Sequence, residues 1–442
     1  MEDHAALLDS STRIAFRRLM PLLILMYVVA CIDKANISYA ALRMNDDLHL
    51  SPAAFGLGAG LYFIVYTALE VPSNLLLHRY GARRWIARIM LSWGVVALLM
   101  AAVSGPWSFY TMRMLLGAAE AGFYPGILFY LTLWFPQRER ARAMVWFTTG
   151  LPVALVAGGV LASALLSLDG VLGLHGWQWM FIVEGVPAIV LAAYVFRRLP
   201  DGPDHVSWLS APQRDALRAQ LAAEASAQTL HPRIALVLTD VRILRLAFAL
   251  FLMMMGNLGL SLWLPQIVRQ AGGFDPARAS LVAAVPYAVT TLSMIVNARY
   301  AARSGKRHLH VAVPALIGAA ALAISAYATN TAVALIGVTV AASGILSAIS
   351  MFFSIPASLV SGAQAAAAIA LVNSLGNLGG FAGPYVIGLA REAAGSFSAG
   401  LAILAACLAV GALIVWTMPL RAVATAAVPS ASPVGAADER AG

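Results

Sequence analysis

Apolar runs long enough to cross a bilayer recur along nearly the whole chain, and that repetition leaves few folds open to it. A spanning helix needs about 20 mostly apolar residues. Twelve such runs can be marked, with ends good to about 3 residues. They lie at roughly 19–42, 55–77, 85–104, 108–132, 143–167 and 177–197, then at roughly 243–268, 279–298, 311–328, 331–353, 365–389 and 399–418. In lipid each backbone polar group must find its partner inside the segment, so runs of this length fold as helices. Composition agrees. Hydrophobic residues make up 61% of the chain and charged residues 11%, against about 45–50% and about 25% in soluble domains. The expected fold class is an all-α membrane protein of twelve transmembrane helices. The first run has no small-residue cleavage site, so no removable signal peptide is expected. Cys31 and Cys407 both fall in apolar runs, which gives neither a disulfide framework nor a metal spacing.

The formal charge of +9 does not point to nucleic acid, because the arginines collect in short connectors. Arg13, Arg17 and Arg18 precede the first run; Arg79, Arg83 and Arg84 follow the second; Arg138, Arg140 and Arg142 lie between the fourth and fifth. Arg197, Arg198, Arg214, Arg218 and Arg233 fall in a central connector, and Arg299, Arg303, Lys306 and Arg307 follow the eighth run. Twelve spans put all of these on one side, which the positive-inside rule makes cytoplasmic. The other side carries only Arg43, Arg269, Arg278 and Arg391. Both termini are therefore expected in the cytoplasm. The expected organisation is a cytoplasmic N-terminus 1–18, a six-helix bundle 19–198, a cytoplasmic loop 199–242, a second six-helix bundle 243–420 and a disordered tail 421–442. Within the loop, Ser210 to Gln213 reads as a capping box with a proline near the helix start, predicting a surface helix over 214–225.

Four charges sit where charge is expensive. Asp33 and Lys34 interrupt the first run, Arg113 and Glu120 the fourth. Such groups face a polar cavity and mark a substrate or ion path. Lys34 is one of only two lysines in the chain. Arg113, Gly117, Glu120 and Tyr124 fall at i, i+4, i+7 and i+11, one helix face. At 1.5 Å per residue, Arg113 lies about 8 Å and Glu120 about 18 Å below the outer boundary, with Asp33 at about 12 Å. The four form a neutral cluster when both acids are ionised. Protonating the acids leaves two cations for an anion to neutralise, which is a coupling device. A static ion-pair network is the plainer alternative. Tyr62, Tyr66, Glu70 and Ser73 share a face of the second span. Glu70 and Glu184 read as structural. Ser343, Ser347, Ser350 and Ser354 form a hydroxyl stripe that fits either a cavity wall, with Ser350 a candidate contact, or close helix packing. Asn373, Asn377 and Gly380 share a face in the eleventh span. No nucleotide loop, metal cluster or nucleophile set stands out, so neither enzyme chemistry nor a cofactor is expected.

The loop Arg79-Tyr-Gly81-Ala-Arg83-Arg84 returns as Arg303-Ser-Gly305-Lys-Arg307, about half the chain later. The same spacing carries Asp33 onto Asn257, a further site candidate. Two related six-span halves suggest a transporter with its site between them. This paired loop resembles the signature of the major facilitator superfamily, which has aspartates where this chain has His78 and Ala302. The fourth span, Arg113 to Gly126 and on to Trp134-Phe-Pro136, resembles the anion:cation symporter family within it. So do Asp33-Lys-Ala-Asn36-Ile-Ser, Glu70-Val-Pro-Ser-Asn74, Phe181-Ile-Val-Glu184-Gly-Val-Pro187 and Asn373 to Pro384. That family includes proton-coupled permeases for sugar acids, tartrate and aromatic acids, and vesicular glutamate and sialic acid carriers.

The resemblance implies that Lys34, where many members have arginine, contacts a substrate carboxylate. It also implies roles in the site for Tyr66 and Asn373. Taken together, the expected protein imports a small organic carboxylate with protons across a bacterial inner membrane. Lys34 and Arg113 would hold the anion, and Asp33 and Glu120 the protons. It is expected to work as a monomer, with the lipid bilayer its only large partner and no nucleic acid. An exchanger of organic anions or organophosphates without proton coupling shares the basic site, and a transporter-like membrane sensor is the alternative of another class.

Overall fold

A computed structural model describes residues 2–227, 239–355 and 363–418. Among these residues the chain is helical throughout, without a strand. The first half comprises α1 (Glu2–Asp47), α2 (Pro52–Tyr80), α3 (Ala82–Met100), α4 (Pro106–Glu120), α5 (Phe123–Thr132), α6 (Gln137–Thr148), α7 (Gly150–Leu166) and α8 (Gly176–Arg198). A short α9 (Ala211–Ala227) follows. The second half comprises α10 (Val241–Gly272), α11 (Pro276–Ser304), α12 (Leu309–Ala326), α13 (Thr331–Phe352), α14 (Ala363–Asn377), α15 (Gly379–Ala394) and α16 (Ser398–Trp416).

These build twelve spans, because three of them are broken in the middle. Span four is α4 and α5, span five is α6 and α7, and span eleven is α14 and α15. Ten helical stretches are long and apolar enough to cross a membrane outright. The other two spans are α3, whose first turn carries Arg83 and Arg84, and the interrupted span eleven. Many large apolar side chains point outward, among them Val71, Leu75, Val145, Leu292 and Ile336. In water such a surface would aggregate; in a bilayer it is the lipid-facing wall.

One buried cluster runs from Ala15 to Leu217 and lies wholly in the first half; a larger one joins both halves. The halves meet at the face away from the arginine-rich loops. Here α2 lies on α15 and α7 on α11. The α2–α15 contact is backbone to backbone. A Cβ at Gly56 would fall 2.5 Å from the Pro384 carbonyl oxygen, and one at Gly388 would fall 2.4 Å from that of Pro52. Small residues permit this approach. The Phe55 ring meets Trp263 edge-on with centroids 4.9 Å apart. Polar ties cross the same face. Ser51 Oγ and the Ala53 N–H both donate to Glu392 Oε2, at 2.7 and 2.9 Å, and Arg269 donates to the Leu42 carbonyl at 2.6 Å.

At the arginine-rich face, the capping box is formed: Gln213 Oε1 accepts from the Ser210 N–H at 3.0 Å. The helix it starts does not float free. Glu224 accepts from the Gln137 N–H at 2.9 Å, capping α6, and pairs with Arg140 at 3.5 Å. Trp208 stacks on Trp134 with centroids 5.4 Å apart. The signature loops also compensate for their missing acids. Asp201, just past span six, accepts from the Arg83 N–H at 2.8 Å and pairs with its Nε at 3.5 Å. In the second half His310 bridges Asn297 Oδ1 and Ser304 Oγ, at 2.9 and 2.8 Å. The tail beyond residue 421 lies outside the described residues.

Candidate functional site

Between the halves, on the arginine-rich side of their contact, lies a cavity of about 330 Å³. Lys34, Tyr66, Asn257 and Asn373 all line it, so four of the six substrate candidates meet on one wall system. Lys34 is its one fixed cation among the described residues. The Lys34 side chain is 36% exposed, with Nζ 3.5 Å from Glu120 Oε2 and 4.8 Å from the centre of the Tyr66 ring. The ammonium thus rests between a carboxylate and a π-face, both of which favour a cation in a low-dielectric setting.

Glu120 is the hinge of the arrangement. It is 1% exposed and stands behind the wall. Its Oε2 accepts from the Tyr62 hydroxyl at 2.6 Å as well as facing Lys34. Behind it Arg113 is 3% exposed, its guanidinium 4.8 Å from the centre of the Tyr62 ring and donating to the Ala59 carbonyl at 3.4 Å. Arg113 therefore does not reach the cavity in this conformation. The reason is local. A Cβ at Gly117 would fall 2.4 Å from the Tyr62 carbonyl oxygen, so α4 is pressed onto the α2 backbone and its charged face looks into α2. Tyr62 then covers Arg113 and leaves only Lys34 in contact with the open space.

Asp33, also 1% exposed, accepts from Asn36 Nδ2 at 3.3 Å. Its electrostatic neighbours are Glu120, Glu184 and Arg113. Glu184, 4% exposed, joins a cluster that the sequence reading limited to four charges. With every group ionised the cluster of three acids and two bases carries one net negative charge.

Other expectations shift. Ser350 does not line the cavity; its hydroxyl donates back to the Ser347 carbonyl at 2.8 Å. The serine stripe instead joins two helices, Ser343 to Thr290 at 3.2 Å and Ser347 to Ser293 at 3.0 Å. Glu70, read as structural, stands on the cavity wall. Tyr27, Tyr124, Tyr287, Ser261 and Asn377 complete it. Two of these had a signal in the sequence: Tyr124 through its spacing from Arg113 and Glu120, and Asn377 through its spacing of four from Asn373. The wall is lopsided. Among the described residues the first half supplies all its charges, Lys34 and Glu70, and the second half supplies only uncharged groups, the amides and hydroxyls beside Leu258, Leu262 and Leu346.

The sequence matches the model of the Major Facilitator Superfamily over residues 23–384. The chain belongs to the major facilitator superfamily. Its relatives bear out the resemblance to the anion:cation symporter branch. It is 42% identical over 398 residues to a putative tartrate transporter of Agrobacterium vitis, covering 90% of this chain and 88% of that one. It is 40% identical over 401 residues to a quinolone resistance transporter of Acinetobacter baumannii, covering 90% and 92%. Among solved structures, the inward-facing, occupied form of a bacterial homologue of the human lysosomal transporter Spinster aligns with a TM-score of 0.74 at 17% identity, covering 90% of this chain and 95% of that one. That likeness shows the fold. This member of the superfamily is a multi-pass transporter of small molecules and not an enzyme.

Proposed function

We propose that the protein carries a small organic carboxylate together with protons, and that the cavity is seen here open to the cytoplasm. One observation carries this reading: the only fixed cation on the cavity wall among the described residues, Lys34, has a titratable acid, Glu120, as its counter-charge. When Glu120 is ionised the lysine is neutralised. When it takes a proton the ammonium is free to pair with a substrate carboxylate. Proton and anion therefore bind together, and in either form the Lys34 ammonium keeps a counter-charge inside the bilayer. Asp33 sits within the same field and is the second proton site. Arg113 holds the pair of acids from behind, and Asn257, Asn373 and Tyr66 contact the rest of the substrate. The arginine-rich face is the cytoplasmic one, both termini lie there, and the membrane is a bacterial inner membrane.

The relatives' names support the substrate class, because tartrate and the quinolones share a carboxylate and little else. A second reading has one observation in its favour. Seven aromatic side chains line the cavity, which suits an aromatic carboxylate and, with the quinolone relative, an exporter. The direction of gradient-driven flux in oriented vesicles separates the two.

The deciding experiment uses Glu120→Gln, which fixes the protonated state. Tartrate, galactonate, glucarate and phthalate are first ranked by thermal shift of the parent protein, since a true ligand stabilises by mass action. In proteoliposomes the variant is expected to keep counterflow of the best ligand and to lose accumulation driven by a pH gradient. Accumulation equal to the parent's would remove Glu120 from the coupling site.

A further inference from the structure

Away from the transport cavity, a second cavity of about 500 Å³ opens at the arginine-rich face, between the N-terminal extension of α1 and the start of span five. Arg13 and Arg17 enter it from α1 and Arg142 from α6, over a floor of Phe16 and Phe135. Its two acids are Asp9 and Glu139. Arg13 is committed to Asp9 at 2.6 Å. Arg17 and Arg142 have no acid within ion-pair distance among the described residues, and the Arg142 guanidinium lies 5.2 Å from the centre of the Phe16 ring. On the lipid side of this floor stands Trp146, 49% exposed and edge-on to Phe16, with Val145 beside it at 65%.

We propose that this cavity holds the phosphodiester headgroup of an anionic glycerophospholipid. Three guanidinium groups against two carboxylates leave one positive charge, the complement of a phosphodiester monoanion. The two uncommitted arginines come from different helices, so one phosphate accepts from both and ties the α1 extension to span five. Guanidinium is the side chain best shaped for phosphate oxygens. The aromatic floor runs directly into lipid-facing Trp146 and Val145, giving the glycerol and acyl chains a continuous apolar path that a free phosphate does not use. Basic pockets at this membrane boundary suit anionic headgroups.

The test is thermal unfolding of the full chain in detergent, with phosphatidylglycerol, phosphatidylcholine or inorganic phosphate added. The parent is expected to gain several degrees from phosphatidylglycerol and little from the other two. The double variant Arg17→Gln/Arg142→Gln is expected to lose most of that gain. Arg138→Gln, an exposed arginine on the same face outside the cavity, keeps it. Should the glutamine pair fail to fold, Arg17→Lys/Arg142→Lys retains the charge and is expected to show at least a halved shift, because the planar fork is gone. An undiminished lipid shift in whichever pair folds overturns the site. Phosphate stabilising the parent as well as the lipid does overturns the lipid assignment, and an equal loss in Arg138→Gln reduces the effect to diffuse surface charge.

Discussion

A lysine facing a cavity inside the bilayer needs a counter-charge it can give up, and Lys34 has one in Glu120. Lys34→Ala is expected to weaken ligand binding at least tenfold, which is about 1.4 kcal/mol, read as loss of ligand-induced thermal shift. Lys34→Arg is expected to keep transport and reorder the preference among acids, because a guanidinium is larger and binds two oxygens. Arg113 is different in kind. It has no access to the cavity, and it faces acids that are themselves buried. Removing one partner of such a set costs roughly 3–5 kcal/mol. Arg113→Ala is therefore expected to lower the melting temperature well beyond Lys34→Ala; an equal or smaller drop would show that the acids do not depend on it. The four charges were legible in the sequence because each is an exception in an apolar run. Their division into cavity-facing and hidden was not. It depends on Tyr62 folding over Arg113, a contact between helices that no spacing within one helix encodes.

At the scale of elements, apolar length and arginine spacing placed the helices well, and the breaks poorly. Span four stops at Glu120 and restarts at Phe123, turning through Gly122 at a left-handed φ of 88°. A 3.6-residue count carried from Arg113 to Tyr124 crosses that break, so Tyr124 reaches the cavity while Arg113 and Glu120 do not. The central helix was visible from its capping box, but its docking through Glu224 and Trp208 was not, since both contacts are long-range. The α2–α15 contact was equally hidden, and it brings two backbones of opposite halves together at the far face. Gly56→Val or Gly388→Val puts a side chain where a backbone carbonyl already stands. Each is expected to hold the far face open. In a background without Cys31 and Cys407, a cysteine at fully buried Ala59 should then react with a polar thiol reagent added from that side. Unchanged protection in both variants would show that the helices separate elsewhere.

Across the whole molecule, the far face is held shut by packing and by polar ties between the halves, Arg269 to the Leu42 carbonyl and Asp46, and Glu392 to the start of α2. Glu392 on α15 accepts two hydrogen bonds from the start of α2, adding to the cap that Ser51 gives this helix of the other half through the Ala54 N–H. Glu392→Ala is expected to shift the population toward a state open at that face. Longer distances between spin labels at His49 and Ser396 would report it, and an unaltered distance distribution would make the contact incidental. The lopsided cavity wall has a wider consequence. Because the second half offers the ligand only uncharged groups, changes there alter which molecule fits without touching the residues proposed to tie its movement to the proton. Descendants of one ancestral carrier can thus exchange diets by drift in one half alone, and a hybrid joining this first half to a cousin's second half should inherit the cousin's cargo and keep its own source of power.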